Sequence, residues 1–227
     1  MCGRYTLTAP AEDLAQRFLL DLSELQTLYQ PRYNIAPSQS VLAVTGDGVH
    51  LVPRWLRWGL TPAWSRDGAA GPINARSETV FDRSMFRQAI RQRRCLVPAD
   101  GFYEWAGSPP HRSPRHFSLQ SGQLFGLAGI WERWQSPSGD PLISVCLLTT
   151  TPNPLVAPIH DRMPVILRPE QESIWLDPAV TEHADLASLF APYPADQMRM
   201  HEVSPAVNDP RLDTPECIRP LAAPASD

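Results

Sequence analysis

The second residue of the chain offers two nucleophiles that only a terminal cysteine can combine. Cys2 follows Met1 and precedes Gly3, and a small second residue permits removal of the initiator methionine. Cys2 would then carry a free α-amine beside its thiol. The amine condenses with an aldehyde to an imine, and the thiol closes on the imine carbon to form a thiazolidine ring. Because ring closure is intramolecular, it has a large effective concentration, so this pair favours covalent capture of an aldehyde.

The absence of lysine restricts amine chemistry to the same place. The chain has 20 basic residues, and all of them are arginine. Catalysis that forms an imine with a carbonyl normally uses a lysine amine. Here the α-amino group is the one primary amine of the sequence, with an ordinary pKa of about 7.7–8.0. A role as a plain core or surface cysteine remains open for Cys2, although Gly3 allows close backbone approach beside it.

In four short segments, polar residues interrupt stretches of apolar or proline-rich sequence. Glu104 lies among aromatic residues, either facing solvent on an edge strand or held in a site that raises its pKa. His160 has an intrinsic pKa that suits acid–base chemistry. A structural role is the alternative. Asn74 and Arg76 share a face if their segment is a strand. The four segments are Arg32–Pro37, Ile73–Thr79, Asp100–Trp105 and Ile159–Pro164.

Charge is unevenly distributed along the chain. The net charge is -4, yet the arginines concentrate in the first two thirds, most densely from Arg76 to Arg94. This stretch is either a phosphate-contacting patch or a solvated helix face. Arg76 and Arg162 can each clamp a phosphate or pair with a nearby carboxylate of Glu78 or Asp161.

Length and composition predict one globular domain. The 227 residues include 43% hydrophobic residues, which suits a single core over residues 1–220 with a loose tail over 221–227. No apolar run approaches the roughly 20 residues of a membrane helix, and the first residues lack the basic and apolar regions of a secretory signal, so we expect a cytosolic protein. The four cysteines form no CxxC pair, which disfavours a zinc ribbon and predicts reduced core thiols at Cys95, Cys146 and Cys217.

Hydrophobic periodicity and turn residues predict an α+β fold around a mostly antiparallel, curved sheet or partial barrel with flanking helices. The 25 prolines favour short elements. A hairpin is expected at Gly46-Asp47-Gly48. Helices are expected over Pro10–Leu20, Leu22–Tyr29, Ser84–Gln92, Glu170–Leu176 and Glu182–Phe190. Strands are expected over Val41–Thr45, Val49–Pro53, Cys95–Val97, Gly101–Trp105, His116–Leu119, Leu124–Trp131, Leu142–Thr149, Pro164–Leu167 and Met198–Val203.

With Cys2 and the polar segments in this order, the chain resembles the SRAP family, the SOS response-associated peptidases or abasic-site processing proteins. The resemblance runs from Met1-Cys2-Gly3-Arg4-Tyr5 to Val203–Asn208. It implies a sensor of abasic sites in single-stranded DNA, which forms a thiazolidine crosslink between mature Cys2 and the ring-opened sugar. It also implies a lyase-type repair enzyme, and the family name records a peptidase activity.

The resemblance assigns a role to each candidate site residue. Asn74 would orient the Cys2 terminus, Glu104 would move the amine proton, and His160 would protonate the sugar oxygen and serve in reversal. Pro37 and Trp64 would stack on the neighbouring base. DNA contacts are implied for Arg4, Arg76, Trp105, Thr149 and Arg162. The resemblance implies a monomer that binds single-stranded DNA, with no metal, cofactor or membrane.

Two other classes of function fit parts of the sequence. Met-Cys-Gly also opens N-terminal-nucleophile amidohydrolases, in which the thiol attacks a glutamine amide and the α-amine is the base. A DNA-binding module without catalysis would use the Arg76–Arg94 patch, with Cys2 incidental. The first predicts glutaminase activity, and the second predicts salt-sensitive, fully reversible binding.

Overall fold

The computed structural model describes residues 2–46, 50–108, 110–137 and 139–221. The helices of these residues are α1 (Ala11–Phe18), α2 (Leu22–Leu28), α3 (Ala89–Gln92), α4 (Pro169–Leu176) and α5 (His183–Leu186). Their strands are β1 (Tyr5–Leu7), β2 (Arg32–Ile35), β3 (Ser40–Gly46), β4 (Leu51–Trp58), β5 (Asn74–Arg76), β6 (Arg94–Ala99), β7 (Gly101–Ala106), β8 (Ser113–Leu119), β9 (Phe125–Gln135), β10 (Pro141–Thr150), β11 (Met163–Pro164), β12 (Ile166–Leu167) and β13 (Met198–Glu202).

Five strands close into a ring that forms the barrel of the fold. Strand β10 pairs with β4 and β9, and the ring continues through β3 and β6. Most pairings are antiparallel, but β10 runs parallel to both β4 and β5. Alternating apolar side chains fill the interior, as the fully buried Ala43, Leu56, Val97, Leu127 and Val145 illustrate. The α+β fold with a mostly antiparallel partial barrel is therefore confirmed.

A five-stranded antiparallel sheet in the order β13-β8-β7-β1-β2 packs against this barrel. Phe102 and Phe117 pair across β7 and β8, stack at 5.0 Å between ring centroids and join the main core. Tyr103 and His116 form the next pair on the opposite face. Because side chains alternate along a strand, Glu104 lies on the same face as Phe102, towards the barrel.

Most expected elements are confirmed, with differences at short or mixed segments. Only the last four residues of Ser84–Gln92 form an α-helix, so the longer helix was wrong. The Phe86 N–H bonds to the Arg83 carbonyl three residues back, so the segment begins as turns, while Met85 and Phe86 still pack on the core. Similarly, α5 passes into a 3₁₀ turn over Ala187–Phe190.

Three strands have no counterpart among the strands expected from the sequence, namely β1, β2 and β5. Each has only three or four residues, too few for a visible alternation. Their hydrogen bonds come from partners distant in sequence, such as the pairing of Tyr5 with Phe102. Tertiary pairing therefore decides these elements rather than local propensity.

Further expectations concern the hairpin, the C-terminal tail, the cysteines and membrane-spanning helices. Strands β3 and β4 pair antiparallel as the hairpin requires, although its turn at 47–49 and the tail at 222–227 lie outside the described residues. Cys95, Cys146 and Cys217 are buried free thiols, as expected for core residues. In the described residues, no helix has the length and apolarity needed to cross a membrane.

The dense arginine stretch does not form one continuous patch. Arg94 is buried and donates to the backbone carbonyls of Trp175 and Asp177. Arg93 pairs with Glu132 at 2.8 Å. Both side chains therefore hold the fold together, and the exposed members of the stretch lie towards its beginning.

Candidate functional site

The backbone of Cys2 is held by a side chain from a distant strand. Cys2 lies three residues before the start of β1 and is fully buried. The Asn74 Nδ2 atom donates to the Cys2 carbonyl oxygen at 2.8 Å. Asn74 is itself positioned by the parallel pairing of β5 with β10, opposite Leu147. Two elements distant in sequence thus meet at the first residues of the chain.

A buried carboxylate faces the Cys2 thiol. Glu104 is 3% exposed, and burial raises its pKa from the ordinary 4.5 to about 7. Burial also raises the pKa of the Cys2 thiol above its usual range, and the charge of Glu104 raises it further. Since β7 lies between β1 and β8, Glu104 is not on an edge strand. Of the two environments that the sequence left open for Glu104, the structure shows the buried one, and the catalytic role of Glu104 stays a prediction.

Glu104 and His160 line the same small cavity, whose volume is about 220 Å³. The Nδ1 atom of His160 accepts a hydrogen bond from the Arg162 backbone N–H at 3.0 Å. An ion pair with Asp161, also at 3.0 Å, would need a proton on that nitrogen. Burial lowers the pKa of His160, so we assign the neutral ring, with its proton on Nε2.

The guanidinium of Arg162 forms hydrogen bonds to other groups of the protein. Its two terminal nitrogens donate to the two carboxylate oxygens of Glu78 at 2.6 and 2.8 Å. One of them also donates to the Thr149 carbonyl at 2.6 Å. The Thr149 side chain is fully buried, and its hydroxyl faces the Ala75 carbonyl. This network joins β10 to the end of β5 and supports Asn74, whereas DNA contacts by Arg162 and Thr149 stay predictions.

Arg4 and Trp105 are held by a 3₁₀ turn in the C-terminal part of the domain. Arg4 Nη1 donates to Asn34 Oδ1 at 2.6 Å and to the Val207 carbonyl at 2.7 Å. Its guanidinium lies over the Trp105 ring at 5.8 Å. The Trp105 indole N–H donates to Asn208 Oδ1 at 2.7 Å. The 3₁₀ turn Pro205–Asn208 therefore fixes both side chains beside the cavity.

The remaining predicted DNA contacts lie on open loops or strand ends. Trp64 is 68% exposed, a rare state for a tryptophan in a soluble protein. Arg76 is exposed at the end of β5, and Pro37 is partly exposed before β3. Neither Pro37 nor Trp64 lines the cavity. Their role in stacking stays a prediction.

Comparison with known proteins shows the family of the chain. A family model described as SOS response associated peptidase (SRAP) matches residues 1–210. The chain belongs to the SRAP family. Among its relatives is Abasic site processing protein YoqW of Bacillus subtilis, 43% identical over 221 residues, with 96% of this chain and 99% of that protein covered.

More distant relatives share both sequence and fold with this SRAP chain. Abasic site processing protein HMCES of Mus musculus is 31% identical over 273 residues, which cover 97% of this chain and 76% of that protein. A crystal structure of a protein from Bacteroides thetaiotaomicron superposes with a TM-score of 0.87 at 25% identity. That match covers 97% of this chain and the whole of the other.

A larger cavity of about 1160 Å³ lies on the opposite face of the five-stranded sheet of this SRAP domain. His116, Arg199 and His201 line it, and all three are on the face of Tyr103 rather than that of Glu104. We place the candidate site at the smaller cavity, because Glu104, which lines it, also acts on the thiol of Cys2. Within the described residues, no cluster of three or more His, Cys, Asp or Glu side chains could hold a metal.

Sequence reasoning missed three residues that shape the SRAP site. Asn34 joins Arg4 to the C-terminal turn, Asn208 holds Trp105, and Arg112 lines the cavity. Asn34 and Asn208 lie in segments that the sequence analysis had singled out, but their partners are distant in the chain. Arg112 lies in the loop between β7 and β8, where no periodicity reveals which way a side chain points.

Proposed function

We propose that this protein processes abasic sites in single-stranded DNA by linking them covalently to its mature N-terminus. One observation carries the proposal: Asn74 holds the Cys2 carbonyl, and the buried Glu104 carboxyl, with a pKa of about 7, acts on the adjacent thiol. The names of relatives in Bacillus subtilis and mouse, which call them abasic site processing proteins, support the same substrate.

The proposed reaction begins when Met1 is removed and the Cys2 amide nitrogen becomes a primary amine. This amine adds to the aldehyde carbon of the ring-opened sugar, and loss of one water gives an imine. The thiol sulfur then adds to the imine carbon, and the thiol proton passes to nitrogen. The product is a thiazolidine in which DNA and protein share two new bonds to one carbon.

Glu104 and His160 supply the proton transfers. A carboxyl with a pKa of about 7 is well matched to accept a proton from the amine at neutral pH and to return it to the departing water. His160 is neutral and presents Nε2–H as a donor, which suits the sugar oxygen during ring opening. Asn74 holds the Cys2 backbone still while these steps take place.

The imine is also the branch point for the other activities of the proposal. Elimination of the 3′ phosphate from an imine cleaves the strand, which is lyase chemistry. Attack by the thiol consumes the imine and protects the strand instead. The peptidase activity would be release of Met1 by the same thiol. These activities share one nucleophilic residue, so their balance depends on how fast the thiazolidine closes.

Binding in this proposal is independent of base identity. The 68% exposed Trp64 and the partly exposed Pro37 each offer a flat apolar surface for a stacked base. Arg76 offers a guanidinium for a phosphate. A single strand can present both a base and a phosphate, because its bases are not paired. A monomer contains every residue that the proposal uses.

The proposal is tested by mixing the protein with a single-stranded oligonucleotide that carries one abasic site. After heating in denaturant, we expect an intact mass equal to the protein without Met1 plus the DNA minus one water. The same oligonucleotide with its aldehyde reduced to an alcohol is the control and should give no adduct. An absent adduct with Met1 removed and the aldehyde intact would contradict the proposal, and glutaminase activity would then favour the amidohydrolase.

We expect His160→Ala to slow reversal of a preformed adduct by roughly 100-fold, the usual contribution of one acid–base group. Burial lowers the pKa of His160 below its ordinary range, so wild-type reversal should accelerate as the pH falls through that lowered pKa and His160 becomes protonated. The variant should lose that acceleration. Release of labelled DNA into a trap measures the rate. His183→Ala, an exposed histidine of α5, should behave as wild type, and an unchanged profile in His160→Ala would make His160 structural.

A further inference from the structure

Two of the arginines implied as DNA contacts are already occupied within the protein. Both terminal nitrogens of Arg162 bond to the Glu78 carboxylate. Arg4 Nη1 is shared between Asn34 and the Val207 carbonyl. A guanidinium held in this way orients its neighbours, but it has fewer donors left for a phosphate. The cavity therefore needs another source of positive charge where the DNA backbone enters.

Arg112 lies where that charge is needed. It lines the cavity together with Glu104, Trp105 and His160, and it is the one lining residue in the described ranges with a permanent positive charge. Its side chain is exposed. Across residues 2–46, 50–108, 110–137 and 139–221, its guanidinium has no hydrogen bond or ion pair to the protein. Its charge also acts on His160.

We propose that Arg112 binds the DNA phosphate next to the abasic sugar at the mouth of the cavity. This inference rests on the proposed function and extends it to a residue outside the segments that carry the family resemblance. The sugar must reach Cys2 between Glu104 and His160, so its flanking phosphate stays at the cavity mouth. Because a guanidinium without protein partners keeps all its donors, it can bind two phosphate oxygens at once.

The loop that carries Arg112 suits a contact formed on binding. Strands β7 and β8 are adjacent and antiparallel, pairing as far as Ala106 with Ser113. The loop between them is therefore anchored at both ends, and Gly107 at its start has a φ of +88°, which favours glycine. Arg112 is directly next to the anchored end, so its backbone is fixed while its long side chain remains free to reach a phosphate.

The test measures reversible binding to a single strand that carries a tetrahydrofuran abasic analogue, which has no aldehyde and cannot form an imine. We expect Arg112→Gln to weaken binding about 10-fold at low salt. The slope of log Kd against log salt should fall by about 0.7, the contribution of one phosphate contact on single-stranded DNA. Arg112→Lys keeps the charge and should retain most of the slope.

Arg199→Gln is the matched control, because Arg199 is an exposed arginine on the opposite face of the five-stranded sheet. It should leave both affinity and slope unchanged. An Arg112→Gln protein with the wild-type slope would overturn the inference and leave Arg112 as a solvated loop residue. Crosslinking of wild-type protein to a natural abasic site is measured in parallel. If the wild-type protein forms no crosslink, the result counts against the proposed function. The salt slope tests Arg112 separately, because binding to the analogue involves no chemical reaction.

Discussion

Cys2→Ala is expected to abolish the heat-stable adduct with abasic single-stranded DNA, with a loss of at least about 1000-fold in yield at a fixed time. The variant keeps a primary amine after Met1 removal and can still form an imine. It has no thiol to close the ring, so the linkage remains hydrolysable. Intact mass after heating measures the adduct, and Met1 removal is verified by mass in each protein.

Two controls separate chemistry from folding in this experiment. Cys217→Ala removes another buried thiol, which lies in the small second core beside Tyr103, and should retain the adduct. Trapping with borohydride should recover an adduct of Cys2→Ala, because reduction makes the imine linkage permanent. A heat-stable adduct of Cys2→Ala without reductant would show that the thiol is not needed and would reject thiazolidine formation.

Glu104→Gln is expected to slow crosslinking by roughly 100-fold at pH 8 with little change in DNA binding. The amide keeps the shape of the side chain but cannot accept the amine proton. In the wild type, the rate should fall as the pH drops through about 7, where Glu104 becomes protonated. In the variant, the crosslinking rate should no longer fall as the pH drops through about 7. Single-turnover rates from pH 5 to 9 measure both effects.

The same substitution should stabilise the protein in a pH-dependent way. Folded Glu104 keeps its proton up to a pH of about 7, whereas the unfolded chain releases it near 4.5. Between these values the folded state binds more protons, so wild-type stability falls as the pH rises. The shift from 4.5 to about 7 corresponds to roughly 3 kcal/mol. The free energy of unfolding of Glu104→Gln should therefore exceed that of the wild type by more at pH 8 than at pH 4, and the increase should be up to about 3 kcal/mol.

Glu172→Gln is the matched control for the crosslinking rate. Glu172 of α4 is also a buried carboxyl with a pKa raised by burial, but it pairs with Arg17 at 2.7 Å and lies outside the small cavity. Its substitution should leave the crosslinking rate unchanged. If Glu104→Gln crosslinks at the wild-type rate across this pH range, Glu104 is not the proton acceptor, whatever its effect on stability.

The strands that carry the site could be predicted only where they are long. The sequence indicates β7 and β10 as runs of five and eight residues, Gly101–Trp105 and Leu142–Thr149, between Pro, Gly and Ser clusters, and the structure has both strands. Strands β1 and β5, which bring Cys2 and Asn74 together, have three residues each. At that length a strand exists because a partner supplies its hydrogen bonds, so no local pattern can reveal it.

Whether Glu104 is buried or exposed also could not be predicted from the sequence. A carboxylate among aromatic residues is compatible with an exposed edge or a buried site, and the two differ in pKa by the cost of desolvation. The choice depends on whether strands cover β7 on both sides. Strands β1 and β8 do so, and they come from positions far apart in the chain.

The sequence by itself indicated the candidate nucleophile and the restriction of amine chemistry to the N-terminus, and it identified the family. These depend on residue identity and order, which are properties of the chain alone. Only the tertiary structure decided which charges are free. Arg162 pairs with Glu78 rather than its neighbour Asp161, and Arg94 is buried, while Arg112 at the cavity has no partner among the residues that the structure describes. Ion pairing depends on distances of a few ångströms between side chains, and the fold sets those distances across separations of many residues.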